Sequence, residues 1–457
     1  MLTAGSLTIT AIWWVLLLVS FFVSPPGMQS PGSGFFAFSY ATLTAGNLLA
    51  VLLFFSAPSK AVQMTCLVLA VLLLVEAIIM VSVPQIRFEE GWVGIITGVW
   101  ALLMSIWTVM TDRVVTWGKR EEEERLTGRE ETRRTLKEWV SVMISTVVFI
   151  LLTVVVVLLF ASLILRARDS SLEAPGERYF VDNDMFRIHI FCEGNSTMHG
   201  KKLPTVLFEA GEKPFKGTMS KFAAGSLNNG TIVRYCYSDR PGFGWSDNAP
   251  SLFSAGMATD ALSEALARAG EQGPWVLVSA GVGSIYSRIF SSRHGRDIAG
   301  ILLIDPFHED LLYRLAAPSQ GFLLWVRGVI SPLGIDRLSG AIFKGRTRED
   351  RVYGRAAYQG DKYIKAKLQE SLVAESLTKS EVFSARSIQD KKTPLVVVSS
   401  GVEVKRDGMW ASKQRDFSSL TNNLVAWDIV QKAPHEVWET YEGRKIIEKR
   451  LRQLVDG

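Results

Sequence analysis

Cysteine and histidine are scarce in this chain of 457 residues, three of one and five of the other. His189, His199, His294, His308 and His435 are dispersed, and no Cys-x-x-Cys occurs. The sequence therefore offers neither a zinc cluster nor a dense disulfide framework, and no metal is expected. A one-sided charge is missing too: 50 Lys and Arg stand against 45 Asp and Glu, a net charge of +5. The basic residues are scattered or interleaved with acids, with no basic and aromatic platform, which speaks against a nucleic-acid partner. The N-terminus also lacks the Arg-rich, acid-poor character of a mitochondrial presequence.

Apolar residues are abundant and unevenly placed. They make up 48% of the chain, and the mean hydropathy is +0.19. Five apolar runs, at about 9–24, 36–56, 62–83, 92–111 and 140–165, account for the excess. Each is long enough, or nearly so, to cross a hydrocarbon core of about 30 Å. The first has no clear cleavage pattern and reads as an anchor, not a removed signal. Residues 1–165 are thus expected to be an all-α transmembrane region of about five helices, with the lipid bilayer as its partner. Asn47 and Glu76 lie inside apolar runs, where such groups usually face the bundle. The 112–138 connection is highly charged and can form a solvated helix through Glu121→Arg125 and Glu130→Arg134 pairs. It holds most of the Lys and Arg near the spans. If it is cytosolic, everything after about residue 166 lies on the lumenal or extracellular side. The sequons at Asn195 and Asn229, both in that half, agree with this placement and are glycosylation candidates.

After a polar linker at 166–177, strand and helix patterns alternate over 178–457, as in an α/β sheet. Apolar runs ending at Glu209, Tyr237, Val278, Asp305 and Ser399 read as strands. Their carboxyl ends bring Gly211, Gly281, Asp305, Glu403 and the loop holding His435 to one edge, where open sheets bind ligands. Residues 306–392 form a helical insertion expected to cover that edge as a lid. Its stretch Gly321–Ile335 is apolar enough to touch a bilayer or admit a lipophilic ligand.

Taken in order, several pieces resemble the α/β-hydrolase superfamily. They are Arg187–Gly194, Val206–Gly211, the turn Asp239-Arg-Pro-Gly-Phe-Gly-Trp-Ser246, Ile301–His308 and Lys432–His435. The resemblance implies a hydrolase sheet with a helical lid, and a site built from a nucleophile, a His base and an orienting acid. It assigns the base to His435. The acid is Asp305, or Glu403 or Asp407 one strand later. Oxyanion donors come from Val282 and the loop after Gly211. No cofactor is implied. Cys192 and Cys236 fall in strands that lie close in such a sheet, which makes them a disulfide candidate.

The nucleophile is the departure. The family's small-x-nucleophile-x-small turn maps onto Ser279-Ala-Gly281-Val-Gly283, and no Gly-x-Ser-x-Gly occurs elsewhere. Three readings follow. One is a membrane-anchored hydrolase fold impaired as a serine hydrolase, binding a lipophilic ligand or a protein partner. Another is an active ester or lipid hydrolase with a displaced nucleophile, Ser279 or Ser284, or a water held by His435. The third is a dinucleotide-binding unit, with Gly281-Val-Gly283 opening a helix and Asp305 ending the next strand.

Overall fold

A computed structural model describes residues 2–55, 59–128, 135–198 and 201–456. His199 and the Glu130–Arg134 pair lie outside the described residues. The chain divides into two compact units, residues 1–172 with 326–345, and residues 173–325 with 346–457. The insertion expected as a lid is therefore shared between the two units.

The first unit is a helical bundle. Its helices α1 (Leu2–Ser20), α2 (Phe35–Phe54), α3 (Lys60–Ser82), α4 (Pro84–Thr127) and α5 (Leu136–Ser170) are each long and apolar enough to cross a membrane. Hydroxyl–indole bonds hold α1 in place. Trp13 Nε1 donates to Thr97 at 2.8 Å and Trp14 to Thr42 at 2.9 Å, while Trp100 donates back to Thr10 at 2.9 Å. Such polar contacts join helices where no hydrophobic effect can. Asn47 donates to Thr108 at 3.0 Å inside the bundle, and Glu76 is fully buried. Two expectations change. α1 starts at Leu2, ahead of its apolar run, because Thr8 and Thr10 bond back to the carbonyls of Ala4 and Ser6. The charged stretch beginning at 112 is not a separate helix, since α4 continues through it to Thr127 after a kink at Gly91.

The second unit is built on an eight-stranded sheet. Its strands are β1 (Glu177–Val181), β2 (Phe186–Gly194), β3 (Thr205–Glu209), β4 (Arg234–Ser238), β5 (Trp275–Ala280), β6 (Ile298–Ile304), β7 (Pro394–Ser400) and β8 (Asn423–Val430). They lie in the order β1-β2-β4-β3-β5-β6-β7-β8, and β2 alone runs against its neighbours. This is the α/β-hydrolase sheet. Its order differs from the classic 3-2-1-4-5-6 of a dinucleotide-binding sheet. The central strands are apolar on both faces, as parallel strands between helical layers must be. Val206, Val276, Leu302 and Val396 pack on one side; Leu207, Leu277, Ile301 and Leu395 pack on the other. Cys192 and Cys236 are directly opposed across β2 and β4 and form a disulfide.

Candidate functional site

Three strand ends and one late loop meet at the carboxyl edge of the sheet. β5 runs into a sharp turn whose apex, Gly281, has φ +48°, a left-handed conformation that glycine tolerates best. β6 ends at Asp305, also left-handed at φ +42° and fully buried. Its Oδ1 accepts from Ser400 N at 3.1 Å and Trp410 Nε1 at 3.0 Å. Its Oδ2 lies 2.6 Å from His435 Nδ1. With the other oxygen fixed by two donors, this oxygen is left to hold the imidazole, the geometry an orienting acid would need. Glu403 is turned away. Its backbone N–H caps on Ser400 and its carboxylate pairs with Arg406 at 2.5 Å. Asp407 caps the helix Gly408–Asp416 and pairs with Arg314 at 2.7 Å.

Among the described residues, no serine is hydrogen-bonded to His435. Ser279 is buried and shares a 2.7 Å bond with Ser287, while Ser284 donates to the Gly281 carbonyl at 2.7 Å and accepts from Phe307 N at 3.1 Å. Each hydroxyl is occupied in holding the turn or the helix behind it.

A residue the sequence reading passed over fills the gap. Glu212, the first residue after Gly211 in the loop leaving β3, sends its carboxylate to the apex. Glu212 Oε2 is 3.4 Å from His435 Nε2, and Val282 N–H donates to Oε1 at 3.3 Å. A Cβ at position 281 would lie 2.7 Å from Glu212 Oε1 and 2.8 Å from His435 Nε2. The glycine thus leaves room for a carboxylate from the opposite loop. The expected oxyanion donor, Val282 N–H, already has an anion to hold.

The loop carrying Glu212 is firmly tied. Arg240, from the Asp239–Ser246 turn, donates to the carbonyls of Ala210 at 2.7 Å and Gly211 at 2.5 Å and pairs with Glu209 at 3.1 Å. Tyr363 donates to the Glu212 carbonyl at 2.7 Å. Arg240 is itself fixed because its turn is closed: Asp239 accepts from Trp245 N at 3.2 Å, and Asp247 accepts from Arg187 Nε at 2.8 Å. The turn that carried the family resemblance therefore positions Glu212.

Charge binds the site together. Burial would lower the His435 pKa, but the hydrogen bonds and charges of Asp305 and Glu212 outweigh it and raise it to about 10. Burial would raise the Glu212 pKa. The bond and charge of His435, with the Lys367 ammonium, lower it instead to about 2. Both shifts run in the direction that favours an ion pair between the His435 imidazolium and the Glu212 carboxylate.

A family profile described as "Region of unknown function (DUF2417)" matches residues 1–192. A Schizosaccharomyces pombe protein, "Uncharacterized protein C23C11.06c", is 36% identical over 485 residues, covering all of this chain and 90% of that protein. The chain belongs to the same family as that protein. A Saccharomyces cerevisiae relative, "Uncharacterized vacuolar membrane protein", is 26% identical over 71% of this chain and 59% of its own length. Similar solved structures match the second unit. An α/β hydrolase from a deep-sea metagenome library shares 12% identity and a TM-score of 0.44, covering 62% of this chain and 98% of that one. A probable hydrolytic enzyme from Pseudomonas aeruginosa shares 14% and 0.46, covering 62% and 96%.

Proposed function

We propose that this chain is a membrane-anchored α/β-hydrolase-fold protein that does not perform serine-hydrolase chemistry, and that its carboxyl-edge site serves to bind a lipophilic ligand or a protein partner. One observation carries this reading: the Glu212 carboxylate stands where the serine would, saturating His435 and Val282 N–H. Phe322 and Leu323, 62% and 65% exposed in the insertion, favour a lipophilic ligand. The deciding experiment treats the full-length membrane protein with a fluorophosphonate serine-hydrolase probe. The wild-type protein stays unlabelled; labelling lost on changing Ser279 or Ser284 sinks the proposal.

A second reading, with a displaced nucleophile, rests on the same carboxylate. Glu212 is the one candidate among the described residues that is aimed at His435 and also 42% exposed. A nucleophilic carboxylate that attacks a saturated substrate carbon displaces the leaving group from that carbon and forms an alkyl ester. Water adding to the carboxyl carbon then breaks its bond to the alkylated oxygen, releasing the alcohol and leaving a solvent oxygen in the carboxylate. Incorporation of heavy oxygen into Glu212 during turnover favours this reading over the first.

We also place the second unit on the non-cytosolic side, facing the lumen if the chain shares its relative's vacuolar membrane. The Arg-rich 112–138 connection, the disulfide and the exposed Asn195 and Asn229 support this. Glycosidase sensitivity lost in Asn195→Gln and Asn229→Gln variants tests it.

A further inference from the structure

Residues 326–345 cluster with the apolar helices, not with the sheet. Within that unit Gly328 abuts the Phe35 ring so closely that no side chain fits there. Leu333 joins the cluster formed by Leu43, Leu159 and Leu163, and Gly334 packs on Ser162. Next along the chain, Arg337 pairs with Asp169 at 2.9 Å, with both side chains largely buried. Ser162 and Asp169 lie on α5, separated by seven residues, or ~10 Å along a helix. The segment therefore packs on α5 at Ser162, within the apolar span and ~10 Å along the helix from Asp169, to which the Arg337 side chain extends.

The short helix Ile335–Phe343 that follows is two-sided. Arg337 and Gly340 face the bundle. Ile335, Ile342 and Phe343 point outward, 54%, 69% and 82% exposed. Positions i, i+7 and i+8 share one helix face, so these three side chains form one patch beside a membrane-spanning bundle. Lys344 then places a cation where headgroups lie.

We propose that residues 326–345 are a re-entrant membrane anchor, and that Ile335, Ile342 and Phe343 sit at the boundary of acyl chains and headgroups. The bilayer is the occupant because the helix Ile335–Phe343 packs on α5, a membrane-spanning helix whose side chain Ile164, two residues past the Ser162 contact, is itself 44% exposed. A sheet-borne domain would then be stapled to the membrane from inside its own insertion as well as through its linker.

The test uses the full-length protein in vesicles of phosphatidylcholine and phosphatidylserine. Nitroxide labels are placed at Ile342→Cys or Phe343→Cys in a Cys66→Ser background, with Leu151→Cys and Lys405→Cys as lipid and water references. The anchor predicts collision with oxygen above that with a water-soluble nickel chelate at 342 and 343, as at Leu151. Nickel-dominant collision, as at Lys405, places the face in water and overturns the proposal. Shielding from both reagents means that protein covers the patch, and overturns it too. A second measurement does not depend on labels. Protease cleavage near Lys344 should be slow in wild-type vesicles and at least tenfold faster in an Ile342→Asp/Phe343→Asp variant; equal rates count against the anchor. None of these outcomes depends on the chemistry at Glu212.

Discussion

Gly281 and Glu212 occupy one space: a Cβ on the first would fall 2.7 Å from a carboxylate oxygen of the second. Restoring a serine at the apex therefore requires a change on the opposite loop. Gly281→Ser alone is expected to stay dark to a fluorophosphonate probe and to lose ~1–3 kcal/mol of stability through its left-handed backbone and the displaced carboxylate. The double variant Gly281→Ser/Glu212→Gly should label. Labelling of the single variant at the rate of the double would show that Glu212 does not block the site.

The His435 imidazolium owes its raised pKa to two carboxylates. Glu212→Gln removes one and should lower that pKa by ~1–3 units, read from the His435 ring protons by NMR. In the wild-type protein the ring should not titrate between pH 5 and 8. The signs are opposite for the two partners. His435 has a raised folded pKa, so its contribution is complete below about pH 6.5 and fades as pH rises through about 10. Glu212 has a lowered one, so its contribution is complete above about pH 4.5 and fades as pH falls through about 2.

Asp305 is buried with three partners, His435 among them, whereas the Glu403 carboxylate pairs with Arg406. Asp305→Ala should cost ~3 kcal/mol or more by stranding His435, Ser400 N–H and Trp410 N–H. Glu403→Gln should change stability by no more than ~0.5 kcal/mol. Chemical denaturation of the two variants compares them directly, and equal losses would return Glu403 to the site.

Arg240 grips the loop that delivers Glu212. Arg240→Met keeps much of the side-chain volume and removes every donor to the Ala210 and Gly211 carbonyls. Amide exchange in residues 210–213 should accelerate at least tenfold, with the His435 pKa falling alongside. Fast exchange with an unchanged pKa would mean that Glu212 is held by other contacts.

The Cys192–Cys236 bridge closes a loop of 44 residues. Replacing both with Ser should cost ~2–4 kcal/mol. Peptide mapping without reductant should recover the cross-linked pair from protein purified from its native membrane. Recovery of two free thiols would argue for a reducing compartment and against the non-cytosolic placement.

Much of the second unit could be read from its sequence because each central strand is a short apolar run with a punctuated end. His435 and Asp305 were found the same way, by which strand or loop they follow. Glu212 escaped because its role depends on two loops far apart in the chain meeting at one apex. A lone glutamate after Ala210-Gly211 looks like solvent-facing polarity. The available signal was indirect: a glycine at the nucleophile position implies space for something else. α1 was misplaced for a related reason, since its threonines count as polar although their hydroxyls are satisfied within the helix and by tryptophans.

The end of α5 has one more consequence. Arg166 is held inside the bundle between Glu89, at 2.6 Å, and Glu90. A guanidinium enclosed by two acids presents no outward positive field, and Asp169 is matched by Arg337. With two acids to one guanidinium, the buried cluster is net negative and gives anionic headgroups no reason to gather. That attraction at this end of α5 falls to exposed cations such as Arg168 and Lys344.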